Sequence, residues 1–134
     1  MLEKRSTIDA CVADLEMAQK VFNSLSNNQS ASNDQIRRAA IDAKKLEVKL
    51  AAAKMAHAEY YLASLAARAD YLEARCSREE LVTRREKEEL AWIREALPLN
   101  NATVIRLASE LEKQKRELEA LLNPVELVES VPVF

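Results

Sequence analysis

The chain has 134 residues, of which 49% are apolar, 31% charged and only 4% aromatic, with no Gly at all. That composition belongs to long helices and coiled coils and excludes an ordinary globular core. Lys and Arg number 20 against 22 for Asp and Glu, so no strong net field is available to attract nucleic acid or anionic lipid.

Residues 6–25 read as a first helix. Ile8, Cys11, Leu15, Ala18, Phe22 and Leu25 recur at alternating steps of three and four, which keeps one face toward a partner helix. Ser6 or Thr7 can cap its first turn. The polar run 26–33 (SNNQSASN) favours a loop, because its side chains compete for backbone hydrogen bonds. It ends in Ser32-Asn33-Asp34-Gln35, a capping box that starts the next helix. A loop of this length lets the first helix fold back antiparallel on the second.

From Asp34 to Leu97 there is neither Pro nor Gly, and the residue types predict one unbroken helix about 95 Å long. Its first zone carries Ile36, Ala39, Ala43, Leu46, Leu50 and Ala53 as a narrow seam. In the middle zone the stripe shifts to Met55, Ala58, Leu62, Leu65, Ala69, Leu72 and Cys76, with Tyr60, Tyr61 and Tyr71 partly outside it. A helix apolar on more than one face needs more than one neighbour. Residues 77–89 form a charged zone in which Glu80–Arg84, Arg84–Glu88 and Arg85–Glu89 are expected as pairs four apart. Leu90, Ile93 and Leu97, with Trp92 beside them, restore an apolar face before Pro98.

Residues 98–101 (PLNN) predict a turn, with Asn100 or Asn101 capping a third helix that ends at Leu122. Its seam is Val104, Leu107, Leu111, Gln114, Leu118 and Leu121, and a polar residue such as Gln114 in a seam fixes register or partner number. The tail Val125–Phe134 is apolar and β-branched, a candidate partner-binding segment that is extended or flexible.

The expected architecture is an all-α, elongated helical hairpin or three-helix rod, one coiled-coil unit over residues 1–134. The two shorter helices, each roughly 30 Å long, shield only about two thirds of the long one. That leaves Tyr60, Tyr61, Leu62, Leu65, Tyr71 and Leu72 for another chain, since a bare patch of that size exceeds what soluble monomers tolerate. With Ile8, Leu15, Phe22, Leu46, Leu50, Leu90, Ile93, Leu107, Leu111 and Leu118 they make up the candidate interface.

Nothing in the sequence supplies catalytic or metal-binding spacing. The single histidine, His57, has no companion beyond Glu59 and reads as a seam or rim residue rather than a pH switch. Glu79-Glu80 and Glu88-Glu89 read as solvated surface. Cys11 and Cys76 lie on candidate buried stripes and read as reduced, packed thiols. Neither an enzyme nor a cofactor is expected, and a seam of two or three helices seldom encloses a pocket. No transmembrane segment is expected, since no run approaches the roughly 20 apolar residues that cross a bilayer, and the chain reads as intracellular, cytoplasmic or cytoskeleton-associated.

The layout of a long helix with short flanking helices resembles subunits of coiled-coil assemblies of the spindle, kinetochore or vesicle-tethering kind. That resemblance implies a non-catalytic scaffold subunit acting by helix pairing, with other coiled-coil proteins or a second copy of itself as partner and no nucleic acid. The alternative is a peripheral binder of a membrane surface or microtubule through the basic doublets Arg37-Arg38, Lys44-Lys45 and Arg84-Arg85.

Overall fold

The computed structural model describes residues 2–78 and 82–123, without the side chains of residues 2–6. The described residues form three α-helices and no strand: α1 (Leu2–Ser26), α2 (Asn33–Ser77) and α3 (Arg84–Leu122). The all-α class with one very long central helix is therefore correct. The tail Val125–Phe134 and the Glu80–Arg84 pair fall outside the described residues.

Helix α1 begins at Leu2 rather than at Ser6, because Leu2, Glu3, Lys4 and Arg5 are good helix formers with no breaker among them. Its connection to α2 follows the expected chemistry. The Asn28 side chain accepts from the Ser30 N–H at 2.9 Å, a local turn that competes with helix. The capping box closes reciprocally, with the Ser32 N–H donating to Gln35 Oε1 at 2.9 Å and the Gln35 N–H to Ser32 Oγ at 3.1 Å. Two N–H groups that would otherwise have no helical acceptor are thereby satisfied.

The unbroken helix expected over residues 34–97 is corrected: α2 stops at Ser77 and α3 starts at Arg84. A second capping box, Thr83-Arg84-Arg85-Glu86, makes the restart. The Thr83 N–H donates to Glu86 Oε1 at 3.2 Å and the Glu86 N–H to Thr83 Oγ1 at 3.1 Å. The expected turn at residues 98–101 is corrected as well, since Pro98 lies inside α3. Proline there cannot donate to the Arg94 carbonyl, a loss that ordinarily costs about 3 kcal/mol. Asn100, expected as a cap, turns its side chain onto the Ala96 carbonyl at 2.8 Å instead, and Thr103 Oγ1 donates to the Leu99 carbonyl at 3.1 Å.

The chain divides into two units, Met1–Lys54 with Ser109–Phe134, and Met55–Ala108. In the second unit the end of α2 and the beginning of α3 form an antiparallel hairpin. Its core is Leu65, Ala69, Leu72, Leu90 and Ile93, with Tyr61, Ala96 and Leu97 packed against it. Tyr61, Leu65 and Leu72, expected to need a second chain, are thus packed into this core with residues 84–97 of their own chain, whereas Tyr60 and Tyr71 stay exposed. The first unit joins α1, the first part of α2 and the end of α3. Among the described residues its buried side chains, Cys11, Ala39, Ala43 and Ala51, are all small, which allows close approach of helices.

Candidate functional site

The hairpin of residues 55–108 presents the most distinctive surface. Arg68 and Glu73 project about 140° apart on α2, and each reaches α3 along a different edge of the seam. Arg68 Nε donates to Glu89 Oε1 at 2.6 Å and Arg68 Nη2 to Glu89 Oε2 at 3.2 Å. On the opposite edge Arg94 donates to Glu73 Oε1 at 3.2 Å. Arg75 also pairs with Glu86.

Along the Arg68–Glu89 edge lie two aromatic stripes. Tyr71 is held between the guanidinium groups of Arg68 and Arg75, whose carbons stand 5.3 and 5.8 Å from its ring centre, close enough for cation–π attraction. Tyr60, about three helical turns earlier, shares that face. On α3, Trp92 follows Glu89 by about one turn, and Leu99 follows Trp92 by about two. Tyr60 is 45% exposed, Tyr71 52%, Trp92 55% and Leu99 71%. Large exposed apolar residues gathered on one face are a property of binding surfaces, and Trp, Tyr and Arg are the residue types that dominate interface energetics.

Other expected interface residues are placed differently. Leu65, Leu72, Leu90 and Ile93 are buried in the hairpin's own core, so they are not available to a partner. Tyr61 and Leu62 are half-buried in the same unit, as is Leu107. Ile8, Leu15, Phe22, Leu46, Leu50, Leu111 and Leu118 are half-buried in the first unit. Of the sixteen, only Tyr60 and Tyr71 remain exposed. Trp92 and Leu99, which complete their face, were legible as apolar residues off the heptad seam of α3, the signal of a second apolar face.

The first unit contains a polar cluster around Lys44. Its ammonium donates to Glu47 at 2.8 Å and to Gln114 and Glu117 at 3.0 Å each, so all three N–H groups have acceptors. Burial works against the charge, but the hydrogen bonds to Glu47 and Glu117 outweigh it and raise the Lys44 pKa. The same bond from Lys44 holds the Glu117 carboxyl below its ordinary range. Beside the cluster is an open groove of about 440 Å³ that includes Phe22, Ala43 and Leu121. Arg37 donates to the Leu121 and Leu122 carbonyls at 3.1 and 3.4 Å, placing a cation at the C-terminus of α3 where the helix dipole favours one.

His57 is half-buried, and its Nδ1 atom is buried with no hydrogen-bond partner. Both cysteines are free; Cys11 is buried as expected, whereas Cys76 is exposed, because α2 ends one residue later and opens that end of the seam. Among the described residues no group of three or more His, Cys, Asp or Glu could hold a metal ion. Nor is any described helix long and apolar enough to cross a membrane. The chain matches no protein-family model, no curated protein and no solved structure.

Proposed function

We propose that the protein is a non-catalytic subunit of a helical assembly, and that it acts by docking the Tyr60, Tyr71, Trp92 and Leu99 face of its hairpin onto another helical surface. The observation that supports this reading is the exposure of these four large side chains along one edge of a seam whose own core is already filled. Their neighbours favour a helical partner. Ala63, Ser64 and Ala67 on α2 and Ala96 and Thr103 on α3 are small enough to admit side chains of a facing helix between the aromatic rings.

The test is the size of the species that contains the chain in extracts of its own cells. The native chain is expected in a complex well above its own mass of 15.1 kDa. Replacing Trp92→Glu and Leu99→Glu together, both on exposed positions, is expected to release the chain from that complex without lowering its helicity by circular dichroism. An unchanged complex with the doubly substituted chain would remove the reading. Leu65→Asp is unsuitable for this purpose, since Leu65 is in the hairpin core.

A further inference from the structure

We infer that the partner of this face is a second copy of the same chain, related by a two-fold axis parallel to the hairpin, so that α2 of each copy lies on α3 of the other. The inference rests on the reading of the face as a docking surface and adds its occupant.

Charge distribution selects the occupant and its orientation. Within one helical turn of Tyr71 on either side, at spacings of three and four, stand Arg68, Arg75, Ala67 and Ala74. The same spacings around Trp92 give Glu88, Glu89, Glu95 and Ala96. One stripe is basic around its aromatic residue and the other acidic. Arg85, at the start of α3, and Arg106, seven residues beyond Leu99, are the basic exceptions on the second stripe. Arg68 already bonds Glu89 of its own chain and Arg75 bonds Glu86, so the basic side of the face lies on α2 and the acidic side on α3; laying α2 on α3 of another copy sets these ion pairs side by side with opposite charges facing, twice by symmetry. The perpendicular two-fold would set α2 on α2 and α3 on α3, opposing Arg to Arg and Glu to Glu, which electrostatic complementarity disfavours.

Heights along the hairpin agree with the same arrangement. The pairs Arg68–Glu89, Glu73–Arg94 and Arg75–Glu86 set the antiparallel register. In that register Tyr71 and Trp92 stand level to within about one helical turn, and so do Tyr60 and Leu99. A two-fold axis parallel to the helices preserves height, so Tyr71 meets the partner copy's Trp92 and Tyr60 meets its Leu99. Every neighbouring pair of helices in the resulting four-helix bundle runs antiparallel. The four side chains, about half or more exposed, offer roughly 400–500 Å² per chain at about 150–250 Å² for a whole aromatic side chain. The small residues between them and the stems of the flanking Arg and Glu extend the face toward the about 800 Å² per partner of a standard interface.

The experiment uses the purified full chain. Sedimentation equilibrium is expected to show a monomer of 15.1 kDa giving way to a species of twice that mass as concentration rises. The single tryptophan, which is Trp92, is expected to shift its emission to the blue over the same range. Trp92→Glu and Tyr71→Glu, each on an exposed position, are expected to raise the dissociation constant about thirtyfold or more, with helicity unchanged. For orientation, Ser64 and Ala96 lie at nearly the same height on α2 and α3. In a Cys76→Ser background, a Ser64→Cys chain mixed with an Ala96→Cys chain is expected to form an intermolecular disulfide, and neither chain alone is. A native chain that stays monomeric up to hundreds of micromolar, or self-crosslinking by the Ser64→Cys chain alone, would overturn the inference. If the native chain is monomeric in isolation yet Trp92→Glu with Leu99→Glu releases it from its complex in extracts, the occupant is a different helical protein and the docking reading survives. If neither effect is seen, both fall.

Discussion

The residue that best separates a side chain's type from its role is Lys44. As half of a basic doublet it is a candidate for contact with a membrane surface or microtubule, but in the fold Glu47, Gln114 and Glu117 occupy all three of its donors. Gln114 was legible as a polar interruption of an apolar seam, and its acceptor for that ammonium gives the interruption a physical reason: a long cation half-way into a helical interface needs oxygen atoms around it. Replacing Lys44→Ala is expected to destabilise the fold by about 1–2 kcal/mol, through lost hydrogen bonds and the lost packing of its alkyl stem. Lys44→Met, which keeps the stem, is expected to recover part of that. Urea titrations followed by circular dichroism check both, and equal stability of the Ala variant and the native chain would show that the cluster contributes nothing.

Among the elements, α2 and α3 show where sequence reasoning is sufficient and where it is not. The heptads over residues 36–53 and 104–121 predicted inward faces, and Ala39, Ala43, Leu111 and Leu118 do lie on the buried or half-buried side. Helix ends were harder. The same Ser/Thr-x-x-Gln/Glu pattern occurs at Ser32 and at Thr83, but the second sits in a run of charge that suits the surface of a continuous helix equally well. Pro98, the strongest local breaker, is tolerated on an exposed position of a helix held by its tertiary contacts. Thr83 and Glu86 therefore define the hairpin. Thr83→Ala is expected to cost about 1 kcal/mol. The Glu86 carboxyl is held below its ordinary range first by the Thr83 backbone N–H and also by the Thr83 hydroxyl and Arg75, and Glu89 is held low by its bond from Arg68. Their folded-state pKa values are depressed, so their contribution is present above the ordinary carboxylate range and is lost as pH falls through the folded values. Thermal midpoints are expected to drop as pH falls below about 4.5, with a flatter acid limb in Glu86→Gln, which keeps an acceptor for Thr83 and removes the titration. An acid limb as steep as that of the native chain would assign the pH dependence to other groups.

For the whole molecule, the decisive quantity is how little is buried. Nine apolar side chains qualify among the described residues, and five of them serve the hairpin of residues 55–108. The composition had announced this, since an Ala-rich chain without Gly and with few aromatics builds seams. The fold-back at Ser77 could not be found from length alone, because a rise of about 1.5 Å per residue converts a residue count into a helix length only while the helix is unbroken. Apolar surface must still be covered, and what is left bare is Tyr60, Tyr71, Trp92 and Leu99 rather than Leu65 and Leu72. A single two-helix seam of five buried residues is a small core for a segment of that size, and isolated helices are marginal in water. A peptide of residues 55–108 is therefore expected to be largely unfolded when dilute and to gain helicity with concentration, its thermal midpoint rising by mass action as copies associate. The same peptide with Trp92→Glu is expected to stay unfolded over that range. Full helicity in both peptides, independent of concentration, would mean that one seam suffices and that the exposed aromatic face contributes nothing to the hairpin's stability.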